Sequence, residues 1–318
     1  MTLLSVENLS VGIGQVQPLD RISFAVDRGE ILALVGESGS GKSLTALAVT
    51  GLLPLIGGRV TGGSITFDGT DLTKLPEARL RPYRGKRIAF ITQNPMTALD
   101  PVQRIGPQVD VMARLHLGLD ARAARARSIE TLTQLRIPDA AAICQSYPHQ
   151  LSGGMKQRIV IAMALIGTPD LIVADEPTTA LDVTVQAQIV HLLVNLVKDR
   201  GLGLILITHD MGVVAQVATH VAVLYAGRLA EAQPVNALFA SPAHPYTTAL
   251  IDCIPRAAMQ PGALTGIPGA VPGVAQYPAG CRFHPRCGAA QDLCGHDVPA
   301  LRALRAGTVA CHFPGGIA

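Results

Sequence analysis

The stretch Gly36-Glu37-Ser38-Gly39-Ser40-Gly41-Lys42-Ser43 decides the fold, because it matches G-x-x-x-x-G-K-[ST], a loop that cradles phosphate. Its flanks agree with that reading. Ile31-Leu32-Ala33-Leu34-Val35 is a short apolar run suited to a buried parallel strand. Leu44, Leu47, Ala48 and Leu52 then recur at helical spacing until Pro54 stops the pattern. Strand, glycine loop and helix together aim backbone N–H groups and a helix's positive end at one anion. Gly36, Gly39 and Gly41, with Ser38 and Ser40 between them, let the backbone approach phosphate oxygens with no Cβ in the way. On this reading Lys42 reaches the β/γ-phosphates of a nucleotide and the Ser43 hydroxyl ligates Mg²⁺.

The chain's 318 residues suffice for one large domain with an appendage, or for two modest domains, and an apolar content of 48% supplies a sizeable core. A net charge of +3 is too small for a nucleic-acid footprint, so no nucleic-acid partner is expected. Basic residues gather at Arg79, Arg81, Arg84, Lys86 and Arg87, and again at Arg122, Arg125 and Arg127. The second group lies in an alanine-rich helical stretch and reads as a solvated face. The N-terminal residues lack the basic region and apolar core of a signal peptide. The apolar runs at 159–166 and 203–207 fall short of the about 18 residues that a membrane span needs. A cytosolic chain is expected, linked to a membrane only through a partner.

Residues 4–10, 22–26 and 64–67, the last before the turn Asp68-Gly69, read as short strands of an antiparallel sheet beside the parallel core. A further strand over 87–92 ends at Gln93-Asn94-Pro95, and 106–147 is mostly helical with breaks at Pro138 and Pro148. Leu171–Glu176 and Leu204–His209 are apolar runs closed by polar residues, and the carboxyl ends of such strands are where open α/β sheets bind ligands. Beyond Pro242 proline, glycine, cysteine and histidine rise and helical periodicity fades, which sets a domain boundary near 240.

The apolar run ending in Asp175-Glu176 resembles a second nucleotide motif, with Asp175 on Mg²⁺, mostly through water, and Glu176 as general base toward the attacking water. Just upstream lies Leu151-Ser152-Gly153-Gly154-Met155-Lys156-Gln157-Arg158, in which Ser152, Gly153 and Gly154 open a helix as a second anion-binding terminus. In this order the motifs resemble an ABC-transporter nucleotide-binding domain over residues 1–240. The resemblance implies an α/β fold: a P-loop NTPase core with a mainly parallel sheet, an antiparallel β subdomain and a helical signature subdomain, followed by a small Cys-rich tail. It implies that Leu151–Arg158 is the signature, Gln93 the glutamine-loop residue on the metal and facing the transmembrane partner, Ala180-Leu181-Asp182 the D-loop, and His209 the switch histidine on the γ-phosphate. It also implies a head-to-tail dimer in which the Lys42 loop of one subunit and Ser152–Gly154 of the other sandwich ATP.

The later sequence resembles the oligopeptide/dipeptide-importer subfamily, which includes some nickel importers. The carrying residues are Tyr225–Arg228, Ser241–Thr247, Ile267–Gly269, Gly280–Phe283, Asn94–Pro101 and Met155 of the signature. Cys281, Cys287, Cys294 and Cys311 stand five or more residues apart, wider than zinc pairs two to four apart, and a cytosolic chain does not favour disulfides. The thiols alone leave an iron–sulfur cluster, zinc or inert side chains open; His284, His296 and His312 read as neutral surface histidines, with substitute ligands as the alternative. The subfamily resemblance implies a 4Fe-4S cluster on the four cysteines within a 241–318 extension.

The resemblance thus implies an ATPase, with ATP and Mg²⁺, that couples hydrolysis to peptide import. Its partners would be a second, paralogous ABC ATPase subunit, two transmembrane permeases and an extracytoplasmic solute-binding protein, placing it on the cytoplasmic face of the plasma membrane. A related importer for nickel or another small solute is the alternative. A soluble ABC protein acting on ribosomes or DNA fits less well, because the chain has one P-loop, one signature and no heptad run. A redox-sensing module working through the tail is a third reading. One departure from the family bears on the base. Ile13 stands where relatives carry an aromatic to stack on adenine, and none occurs before Phe24. A competition assay is therefore expected to show weak discrimination between ATP and GTP.

Overall fold

The computed structural model describes residues 2–179, 181–254 and 266–315. They form two compact units, one built from residues 1–73 and 207–318 and the other from 74–206.

The first unit opens with a long hairpin of β1 (Thr2–Ile13) and β2 (Val16–Asp27). Next comes β3 (Ile31–Val35), buried at every residue, as a strand covered on both faces must be. The helix after the glycine loop spans Lys42–Val49, and Gly51 then takes a left-handed φ of 66°. Pro54 lies at the start of the short 3₁₀ turn Leu53–Ile56, where its missing N–H leaves no bond unmade. With β4 (Gly58–Phe67) and β5 (Thr70–Asp71) the hairpin makes a four-stranded sheet in the order β2-β1-β4-β5, antiparallel throughout. Leu4, Val6, Leu9, Val11, Ile22 and Ile65 form its buried face. These strands run further than the apolar alternation indicated. Register shifts, as between Val6 and Leu9 of β1, let backbone pairing continue where the alternation breaks.

In the second unit β6 (Ile88–Ile91), β7 (Leu171–Asp175) and β8 (Gly203–Ile207) stand in the order β8-β7-β6, and β6 and β7 run parallel with Ile88 opposite Leu171. The last residue of β8 is counted with the first unit. The principal helices are Ile105–Leu117, Ala121–Gln134, Gly153–Leu165 and Val183–Arg200. Both basic groups engage acidic partners: Arg84 with Glu77 at 2.6 Å, Arg125 with Asp110 at 2.7 Å, and Arg127 with Glu130 at 2.9 Å.

The chain then returns to the first unit. There β9 (His220–Tyr225) lies parallel to β3, and β10 (Arg228–Pro234) folds back on β9. Two short strands close the sheet, β11 (Arg302–Ala303) and β12 (Thr308–Val309), giving the order β11-β12-β10-β9-β3. Residues beyond 240 therefore extend a sheet begun near residue 31. They also share its core. Tyr225 of β9 meets Tyr246 and Phe283 edge-on, with ring centroids 4.7 and 5.1 Å apart, above Val223 and Leu238.

Glu231 is fully buried in β10, an arrangement a carboxylate tolerates only when its oxygens are satisfied. One oxygen accepts from Gln233 Nε2 at 2.5 Å and from the Ala243 N–H at 2.8 Å, and the other accepts from the His244 N–H at 2.8 Å. This fastens β10 to the start of the helix Pro245–Asp252. Glu231→Ala would leave two buried amides unpaired and is expected to destabilise the protein by about 2–5 kcal/mol in denaturant titration, with Glu231→Gln costing less.

Candidate nucleotide-binding site

The phosphate loop is shaped by what crowds it. Gly36 has φ 145°, and a Cβ there would overlap the Leu224 carbonyl oxygen and lie 2.8 Å from Ser40 Oγ. Gly41 has φ 104° and forms the N-cap of the helix Lys42–Val49, against Leu19 and Gly227. Neither position accommodates an L side chain. Ser40 is fully buried, its N–H donating to the Glu37 carbonyl at 3.2 Å and its carbonyl accepting from the Gly227 N–H at 2.9 Å.

Lys42 is buried, and its Nζ donates to the carbonyls of Gly36 at 2.7 Å and Glu37 at 2.9 Å. The ammonium is thus held across the loop mouth rather than out in solvent. Ser43 is exposed in the first helical turn. His209, also exposed, follows Thr208, whose N–H donates to the Leu34 carbonyl at 3.4 Å within the first unit. Asp210 then caps the helix Met211–Val217, accepting from the N–H groups of Gly212 at 2.9 Å and Val213 at 3.1 Å.

The second unit gathers the other polar residues. Asp175 ends β7 and is 6% exposed, followed by Glu176 with a φ of 44° that is uncommon outside glycine. The Glu176 carboxylate accepts from Gln93 Nε2 at 2.9 Å and from Thr179 Oγ1 at 2.8 Å. Gln93 and Glu176, 83 residues apart, are thereby brought into one hydrogen-bonded set. Thr179 is a member that sequence reasoning missed. A Thr three residues after a strand-end Glu could have drawn attention, but only the left-handed turn at Glu176 points the two side chains together.

Ser152 is the N-cap of the helix Gly153–Leu165, with Oγ accepting from the Met155 N–H at 3.4 Å. A Cβ at Gly154 would come within 2.7 Å of Val185 Cγ1, so a side chain there would require Val185 to shift. Gly153 faces Leu181 more loosely, at 3.4 Å. Asp182 caps the helix Val183–Arg200 by accepting from the Val185 N–H at 2.9 Å. Ala180 of the expected D-loop lies outside the described residues.

In the first unit Cys281, Cys287, Cys294 and Cys311 all line one small cavity, together with His244 and Phe283. Burial pushes the Cys281 thiol up to about 11, and the facing thiols of Cys294, Cys311 and Cys287 add to the rise. His284 Nδ1 lies 2.8 Å from the Cys281 carbonyl oxygen and His312 Nε2 lies 2.9 Å from that of Asp297, while His296 is exposed. Among the described residues no group of three or more His, Cys, Asp or Glu is set to hold a metal ion.

A family model described as ABC transporter matches residues 19–179, and one described as oligopeptide/dipeptide transporter, C-terminal region, matches residues 230–294. The chain is 44% identical over 319 residues to the dipeptide transport ATP-binding protein DppD of Escherichia coli, covering 99% of this chain and 97% of that one. It is 46% identical over 303 residues to a putative peptide import ATP-binding protein of Brucella abortus, covering 94% and 91%. Among solved structures it resembles the dimeric post-hydrolysis state of the ATP-binding cassette MJ0796 bound to ADP and Pi, with a TM-score of 0.64, 26% identity, and 73% and 98% of the two chains covered. It is similar to cbiO1 of Clostridium perfringens, part of the transporter complex cbiONQ, at a TM-score of 0.64, with 28% identity and 75% and 91% covered. Phosphate loop, strand-end carboxylates and C-terminal region together make this chain a member of the ABC-transporter ATP-binding family, in the branch that carries the oligopeptide/dipeptide transporter C-terminal region.

Proposed function

We propose that this chain is the ATPase subunit that couples ATP binding and hydrolysis to the import of peptides through a membrane ABC transporter. The observation that carries the reading is the presence on one chain of the ABC cassette and, over residues 230–294, the C-terminal region of oligopeptide/dipeptide transporters. The end-to-end likeness to a protein named for dipeptide transport supports it. No described helix is long and apolar enough to cross a membrane, so the peptide path is assigned to partners. These are two transmembrane permeases, a solute-binding protein and a second, paralogous ATPase subunit, with this chain peripheral on the cytoplasmic face of the plasma membrane.

In the proposed mechanism the loop amides over Gly36–Ser43 and the Lys42 ammonium bind the ATP phosphates. Ser43, Asp175 and Gln93 are the side chains that would hold Mg²⁺, whose chemistry is to neutralise charge on the β- and γ-phosphate oxygens. Glu176, oriented by hydrogen bonds from Gln93 and Thr179, accepts a proton from the attacking water. His209 contacts the γ-phosphate. Ser152, Gly153 and Gly154 close on the nucleotide bound to the partner subunit, and Asp182 shapes the dimer seam.

The reading divides the chain into a nucleotide-binding domain over 1–240 and an extension over 241–318 that carries a 4Fe-4S cluster on Cys281, Cys287, Cys294 and Cys311. What supports the cluster reading is that all four thiols line one cavity, although among the described residues the side chains as they stand form no group set to hold a metal ion. Its bridging sulfides let its ligands stand further apart than those of a single ion.

Two experiments test the reading. Glu176→Gln in the assembled transporter is expected to bind ATP near normally while turnover falls by about 10²–10⁴-fold; near-normal hydrolysis would remove Glu176 from the role of base. Protein purified without oxygen is expected to be brown, to hold about four irons per chain and to bleach with dithionite, whereas a colourless protein with one zinc would replace the cluster by a structural ion.

A further inference from the structure

Glu37 is the first variable residue of the phosphate loop, and all three of its polar groups are engaged by named partners. Its carbonyl accepts from Lys42 Nζ at 2.9 Å, inside the loop. The other two partners come from the far end of the chain. The Glu37 N–H donates to the Tyr246 hydroxyl oxygen at 2.8 Å. The Glu37 carboxylate takes both branches of the Arg286 guanidinium, Nη1 at 2.8 Å and Nη2 at 3.0 Å.

Arg286 is itself rigidly mounted. Its side chain is only 5% exposed, its Nε donates to the Pro268 carbonyl at 2.7 Å, and its guanidinium lies 5.7 Å from the Tyr225 ring centre. Tyr246 is fully buried against Tyr225 and Phe283. Neither side chain is free to swing, so the position of each is imposed on Glu37. A forked, half-buried Arg–carboxylate pair adds direction as well as energy.

We propose that Arg286 and Tyr246 are positioning residues for ATP binding. From the C-terminal region they fix the Glu37 peptide, and with it the carbonyl that locates Lys42 and the turn that presents the following amides to phosphate. The consequence is that affinity for the triphosphate depends on residues 209 and 249 positions away from the loop. Loop amides bind phosphate well only when they already stand in the binding geometry, since ordering them on binding subtracts from affinity. Arg286 adjoins Cys287 and Tyr246 packs on Phe283, so the folded state of the cysteine-bearing turn is transmitted to the phosphate loop.

The test uses the full chain, a fluorescent ATP analogue for Kd, and KM and kcat for ATP in the assembled transporter. Arg286→Gln and Glu37→Gln each remove the ion pair. Tyr246→Phe removes only the hydroxyl, keeps the ring in the core, and decides the matter if Arg286→Gln does not fold. Each variant is expected to raise Kd and KM by about 3- to 10-fold with kcat within about twofold, as befits lost preorganisation rather than lost chemistry. The double variant Arg286→Gln/Glu37→Gln is expected to be no worse than either single one. Unchanged Kd in Arg286→Gln and Tyr246→Phe, or fully additive effects of Arg286→Gln and Glu37→Gln, would overturn the proposal. Wild-type protein that binds no ATP analogue would instead sink the ATPase reading itself.

Discussion

The first unit depends on close backbone approach around the phosphate loop. A Cβ at Gly36 would overlap the Leu224 carbonyl of β9, and one at Gly227 would overlap the Pro18 carbonyl of β2. The Asp20 N–H donates to the Gly227 carbonyl at 2.9 Å, while the Gly227 N–H donates to the Ser40 carbonyl. The edge of the antiparallel sheet, the β9–β10 turn and the loop are thus laced through main-chain atoms. Side chains at the two glycines would force these three elements apart, whatever their own packing.

The C-terminal region reinforces that junction instead of forming an apolar core of its own. In the turn from Cys281 to Cys287, Arg282 follows the first cysteine and Arg286 precedes the second. Arg282 reaches Asp20, at 3.5 Å, and the Ala226 carbonyl; Arg286 reaches Glu37. Burial alone would raise the Asp20 carboxyl, but the Arg228 hydrogen bond and the charges of Arg228, Arg21 and Arg282 outweigh it and hold it below the usual carboxylate value. Phe283, between the two arginines, supplies the apolar contact through Tyr225 and Tyr246. A region short of aliphatic periodicity is ordered by two cations and one aromatic ring placed where the sheet already offers partners.

In the second unit the same economy appears at a single residue. Glu176 holds a backbone conformation that costs a non-glycine residue about 1 kcal/mol or more, and such strain persists only where the surroundings over-determine it. Here two donors, Gln93 and Thr179, fix the carboxylate at the end of a fully buried strand. The result is a polar group aimed by the fold and not by its own rotamer preference.

What the sequence determined by itself was local. Motif spacing sufficed to identify the β3–loop–helix unit, the strand ending in Asp175-Glu176 and the helix opening at Ser152, because each is specified by residues within about a dozen positions of one another. The length of the β1–β2 hairpin was less legible, since its bulges break the alternation that marks a strand. Tertiary structure alone decided that β12, two residues long, pairs Val309 with Glu231, and that Arg286 and Tyr246 meet Glu37. Two-residue strands carry no period, and a pair 249 residues apart leaves no spacing to read. Such contacts exist only once the sheet and the aromatic core have brought the two ends of the chain together.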